Sequence, residues 1–160
     1  MTDLEKLASQ GDPQAQYELA KILCAGDAPD ERFQTAKAWF LKAASQGHPL
    51  AMWKIGSSFE LLDDKEACHW YRKAAEAGYP FAQYWLGVKY DRGEGVQQSA
   101  DNAFKWFKRA AENGVPSACY ELALRYEMGI GVVQNWQLSS SYYKLAADMY
   151  FHHLIREPDM

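Results

Sequence analysis

Small and apolar side chains return along this chain at helical spacing, in four similar stretches. The first carries Ala15, Leu19, Ala20 and Leu23, and the second Ala51, Ile55, Gly56 and Phe59. The third carries Ala82, Leu86, Gly87 and Tyr90, and the fourth Ala118, Leu122, Ala123 and Tyr126. Offsets of four, five and eight residues put each set on one stripe of an α-helix. A second kind of stripe follows each of them. It reads Ala36, Trp39, Phe40 and Ala43, then Ala67, Trp70, Tyr71 and Ala74, then Ala103, Trp106, Phe107 and Ala110. The last copy has Tyr142-Tyr143 followed by Ala146-Ala147. Large aromatics on one helix facing small residues on its neighbour interdigitate, which is how a close-packed interior is filled. On that packing the aromatic pairs, Trp70 and Trp106 included, are core residues.

The punctuation between stripes agrees. Gly11, Gly47, Gly78 and Gly114 open similar segments and are 36, 31 and 36 residues apart, a period that marks a solenoid of stacked helical units. The last three stand where a helix must stop, and glycine there takes the left-handed C-cap conformation. Pro49, Pro80 and Pro116 follow two residues later, in the first turn of the next helix. Inside the units, Gly93-Glu94-Gly95-Val96 and Gly129-Ile130-Gly131-Val132 are tight turns. They follow a helix and lack the lysine or third glycine of a phosphate loop. The first unit has Gly26-Asp27-Ala28-Pro29 instead. The second is five residues shorter, with Asp63 or Asp64 as N-cap of its second helix. Residues 4–11 echo 40–47, so the chain begins with a lone helix capped by Thr2 or Asp3. At the other end Met149, Phe151, Leu154 and Ile155 lie on a helix with no following unit, and either fold back as a cap or mediate self-association.

Composition narrows the function classes. The chain is 48% apolar and 24% charged, with a net charge of −4 and acidic and basic residues interspersed. There is no basic stripe for nucleic acid. No apolar run approaches membrane-spanning length, and the first residues do not form a signal peptide. A cytoplasmic protein is expected if the chain is full length. Cys24, Cys68 and Cys119 are odd in number and widely spaced, and read as small buried residues of a reducing compartment. The histidines, His48, His69, His152 and His153, form no metal-binding pair, and no nucleophile motif is present. His48 and His69 read as capping or solvated side chains. No catalytic residue, metal or cofactor is expected.

The units resemble the Sel1-like repeats, relatives of the tetratricopeptide repeats. Residues 81–96, FAQYWLGVKYDRGEGV, with 103–114, AFKWFKRAAENG, carry the likeness most fully, and it extends over residues 11–149. The resemblance implies an all-α, right-handed α-solenoid of helix-turn-helix repeats. As a single domain it would comprise an N-terminal capping helix (1–10), repeats at 11–46, 47–77, 78–113 and 114–149, and a C-terminal extension (150–160). It also implies a bacterial, non-catalytic adaptor or scaffold for a protein or peptide. One alternative is an immunity-type inhibitor of a toxin or effector. Another, from the disulfide-rich members that bind cell-wall precursors or antibiotics, is a small-ligand hydrolase of the cell-wall or β-lactam type, whose cysteine pattern this chain does not reproduce.

By analogy with tetratricopeptide proteins, the first helices line a concave face, and positions outside their packing stripe are candidate contacts. One column is Tyr17, Trp53, Tyr84 and Tyr120; these aromatics fit contact and inter-helix packing equally. Others supply Leu50 and Phe81, then Val88 and Leu124 beside Lys21 and Ser57. A fourth column holds Cys24, Glu60, Asp91 and Glu127. Trp85 stands out, because the other units place Glu18, Lys54 and Glu121 at its position. Lys89, Arg92 and Arg125 read as a solvated face balancing Asp91 and Glu127, or as partners for an acidic surface.

Overall fold

A computed structural model describes residues 2–25 and 30–155, without the side chains of Asp30 and of residues 152–155. The described residues form nine helices and no strand. The chain divides into two compact units, Met1–Tyr79 and Pro80–Met160.

Unit 1 contains α1 (Asp3–Ser9), α2 (Pro13–Leu23), α3 (Asp30–Ser45), α4 (Pro49–Phe59) and α5 (Asp64–Glu76). Up to α5, each helix packs on the next in chain order. Thr2 starts α1 with a capping box: its hydroxyl accepts from the Glu5 N–H, and the Glu5 carboxylate accepts from the Thr2 N–H. Asp12 caps α2, and Asp63 caps α5 through the N–H groups of Lys65 and Glu66. Ala8, Ala15 and Leu19 join α1 to α2, with Leu4, Leu23 and Trp39 around them.

Unit 2 contains α6 (Pro80–Arg92), α7 (Ala100–Glu112), α8 (Pro116–Met128) and α9 (Trp136–Ile155), packed in the same sequential manner. Its core holds Val88, Ala103, Phe107, Ala110, Val115, Ala118, Cys119, Leu122 and Ala146. Gly131 shows why its turn needs glycine. Its φ is +69°, and a Cβ there would lie 2.9 Å from the Ala100 carbonyl carbon at the start of α7.

The small position in mid-helix does what the stripe predicts. A Cβ on Gly56 would lie 2.7 Å from the Tyr71 ring, and one on Gly87 would lie 2.8 Å from the Phe107 ring. The aromatic pairs divide their roles, which corrects the expectation that both members are core. Phe40, Tyr71 and Phe107 are buried, whereas Trp39, Trp70 and Trp106 are only half-buried. A cation three residues later covers each indole: Lys42 at 4.0 Å, Lys73 at 4.6 Å and Arg109 at 4.8 Å from the ring centroid.

At the C-terminal end, Met149 folds back onto the core, its sulfur 3.8 Å from Cys119 Sγ. The Tyr150 hydroxyl lies 2.9 Å from that of Ser117. Phe151 is exposed. The side chains of Leu154 and Ile155, and of His152 and His153, lie outside those described.

Candidate functional site

The first-helix aromatics pack first within their own repeats. Tyr17 meets Phe40 at 5.7 Å, Trp53 stacks on Tyr71 at 4.8 Å, Tyr84 meets Phe107 at 5.7 Å and Tyr120 meets Tyr143 at 5.4 Å. Each partner is the second member of the following aromatic pair. Tyr17 is only 6% exposed and also stacks on His48 at 4.8 Å, so its ring face is not available to a partner. Val88, 7% exposed, lies in the core of unit 2 and corrects its placement among the contact candidates. Trp53, Leu50, Tyr84, Trp85 and Leu124 are half-buried. Trp85 packs edge-on to Tyr84 at 5.8 Å and against the unit 2 core, so its departure from the repeat pattern is partly a packing feature.

Two candidates keep large open surfaces. Phe81 is 53% exposed and Tyr120 is 48% exposed. Phe81 lies one turn before Tyr84 on α6. Tyr84, Ser117, Tyr120, Glu121 and Tyr150 line an open cleft of about 380 Å3 in unit 2. Tyr150 comes from α9, a contribution the column reading did not include. Glu121 stands at the edge of this cleft. Burial raises its pKa, with Arg125 opposing.

The polar column has a different use from the one its position suggested. The Tyr71 hydroxyl donates to Glu60 at 3.2 Å, and the Tyr143 hydroxyl donates to Glu127 at 2.7 Å. The hydrogen bond to Glu127 pushes the Tyr143 pKa up to about 12. In the repeats whose buried aromatic is phenylalanine, the same position holds Cys24 or Asp91. Asp91 instead takes the guanidinium of Arg125 at 2.5 Å. Arg125 and Lys89 are buried, which corrects the solvated-face expectation. Lys89 pairs with Glu94 at 2.8 Å, and the Arg125 guanidinium carbon lies 4.6 Å from the Phe107 ring centroid. Arg92 remains exposed.

His48 is an N-cap. Its Nδ1 accepts from the Ala51 N–H at 3.2 Å, so Nε2 carries the proton and donates to Gln14 Oε1 at 2.9 Å. His69 is exposed beside Trp70. Cys68 and Cys119 are buried free thiols, but Cys24 is half-buried rather than core. Among the described residues no group of three or more His, Cys, Asp or Glu could hold a metal, and no helix is long and apolar enough to cross a membrane.

The family model described as Sel1 repeat matches residues 13–48, 49–79, 80–115 and 116–151. Each span begins two residues after the segment-opening glycine. Among solved structures, a protective antigen of uropathogenic Escherichia coli displaying an SLR fold is 33% identical, with a TM-score of 0.83 over 92% of this chain and 33% of that chain. A Sel1 repeat protein from Oxalobacter formigenes is 34% identical, with a TM-score of 0.79 over 91% of this chain and 44% of that chain. An immunity protein from Pseudomonas aeruginosa is 21% identical, with a TM-score of 0.64 over 91% of this chain and 57% of that chain, a likeness of fold alone. The chain therefore spans about a third of the first of these and less than half of the second. No curated protein matches it.

Proposed function

This chain belongs to the Sel1 repeat family, whose repeats mediate protein–protein interaction, and on that premise we propose that it is a non-catalytic adaptor contacting a protein or peptide partner through its first helices. The observation that carries the reading is the exposure of Tyr120, which lines the tyrosine cleft of unit 2, and of Phe81, one turn before the cleft residue Tyr84 on α6. Large aromatics are favoured interface anchors because they bury much area at low entropic cost. Phe81 and Tyr120 leave about half of their surface open, whereas Tyr17 of unit 1 and Val88 of unit 2 are buried in packing.

The test is affinity capture from the native host with the full chain, followed by binding measurements on the captured partner. Phe81→Ala and Tyr120→Ala are expected to keep the helical circular dichroism spectrum. At least one should weaken binding by more than about 1 kcal/mol, roughly fivefold. Undiminished affinity in both overturns this choice of surface. An immunity-type inhibitor is a narrower form of the same reading, and a captured toxin whose activity falls on binding would select it. The Pseudomonas aeruginosa immunity proteins, 21% and 24% identical, share only the fold, so no inhibitory role is taken from them.

A further inference from the structure

Unit 1 has a second open surface, built from different chemistry. A groove of about 620 Å3 runs between α2, α3 and α4 and the turn after α4. Its floor is apolar, with Phe40 and Ile55 buried and Phe59 half-buried. Its lip carries Phe33 and Leu62, and Leu62 is 82% exposed. Three lysines surround it: Lys21 from α2, Lys37 from α3 and Lys54 from α4. Among the described residues no carboxylate lines it. The nearby Glu18 holds Lys21 at 2.8 Å, and the Lys37 ammonium lies 5.6 Å from the Phe59 ring centroid. The hydroxyls of Ser57 and Ser58 donate back to their own helix, to the carbonyls of Lys54 and Ile55.

We propose that this groove binds an acidic protein segment bearing large apolar side chains, the apolar groups entering between Phe33, Phe59 and Leu62 and the carboxylates meeting Lys37 and Lys54. The argument is charge complementarity on an apolar floor. The whole chain carries a charge of −4, yet among the described residues every charged side chain lining the groove is a lysine. A basic segment would be repelled at the rim, and a neutral one would desolvate the Lys37 and Lys54 ammonium groups without offering a carboxylate. The volume lies within the ~300–1,000 Å3 range of ligand sites, room for a few side chains. The short turn of the second repeat adds to the lip. Where the third and fourth repeats have glycine-rich loops, it puts Leu61 and Leu62 in the open. The proposal rests on the protein-binding reading of the family but uses a surface in the other unit, so the two surfaces are tested separately.

The test is selection of a random peptide display library on the full chain, repeated on the Lys37→Glu/Lys54→Glu variant. Both lysines are exposed, so the variant is expected to keep the parental denaturation midpoint. Enriched sequences should place Asp or Glu beside Leu, Phe or Trp. As labelled synthetic peptides they should lose about tenfold or more in affinity on the lysine variant, and again on Phe33→Ser/Leu62→Ser. Affinity for the parent should fall steeply with added salt. The proposal is overturned if no enriched sequence depends on the two lysines, or if acidic residues are not enriched. It is also overturned if enriched peptides respond to Tyr120→Ala instead, which reports the unit 2 cleft. Two further results assign the groove elsewhere and overturn it: binding of oleate with no peptide enriched, or a dimer in light scattering that the lysine variant makes monomeric.

Discussion

Gly87→Ala sets two known effects against each other. Replacing glycine by alanine in a helix interior ordinarily stabilises by about 1 kcal/mol, because the unfolded chain loses freedom. At Gly87 the new methyl would sit 2.8, 2.9 and 3.1 Å from Cε1, Cδ1 and Cζ of Phe107. Ordinary carbon–carbon contact needs about 3.5 Å, so the ring must retreat by roughly 0.7 Å. It has little room to do so, since it is 1% exposed, meets Tyr84 at 5.7 Å and has the Arg125 guanidinium carbon 4.6 Å from its centroid. Overpacking of this kind costs about 1–3 kcal/mol, which outweighs the propensity gain. The expected net change is a loss of about 1 kcal/mol, read as a lower urea midpoint with an unchanged slope. A Phe107→Leu background, with no ring at that point, should reverse the sign, so that Gly87→Ala stabilises by up to about 1 kcal/mol and the double-mutant cycle shows strong coupling. Gly56→Ala, facing Tyr71 at 2.7 Å, should repeat the loss in unit 1. A Gly87→Ala protein with a raised midpoint in the parental background would show that the helices are not held at this separation.

Two other predictions follow from side-chain placement. Phe107→Ala should cost about 3–5 kcal/mol, whereas Trp106→Ala, half-buried under Arg109, should cost only about 1–2 kcal/mol; equal losses in urea unfolding would contradict the division of roles within the aromatic pair. Burial lowers the pKa of His48, with Glu18 and Asp12 opposing, so the folded chain holds fewer protons there than the unfolded one. The cap is therefore fully present above the unfolded value of about 6.5 and is lost as pH falls through the lower folded value. His48→Asn keeps an N-cap acceptor and should flatten this dependence between about pH 7 and about pH 5, while His48→Ala should cost about 1 kcal/mol at neutral pH. Parallel stability curves for parent and His48→Asn would remove His48 from the account.

Much of the local architecture was legible from the sequence because its causes lie within a few residues. Helical offsets mark the stripes, Thr2 and Asp63 stand where caps are needed, and the recurrent glycine–proline spacing marks where one helix stops and the next begins. The match between Glu60 with Tyr71 and Glu127 with Tyr143 was also present in the sequence, as a glutamate wherever the second aromatic of the pair carries a hydroxyl. It becomes readable only once the helices are paired, because the partners are 11 and 16 residues apart.

The repeat periodicity by itself determined the number of units, their two-helix form and the small-against-aromatic packing rule. Tertiary structure decided which faces remain for a partner. Adjacent residues on a helix point about 100° apart, so Trp106 and Phe107 are equally apolar in sequence, and only the position of α6 makes one of them core. The same holds for Val88, Lys89 and Arg125, which look like surface positions until a neighbouring helix covers them. The lysine-rimmed groove is the converse case: Lys21, Lys37 and Lys54 come from three helices, and nothing in their spacing announces that they surround one apolar floor. A side chain's direction about its own helix is a local property. What lies in that direction is set by helices distant in the chain, and that decides whether the residue is buried, paired or left open to a partner.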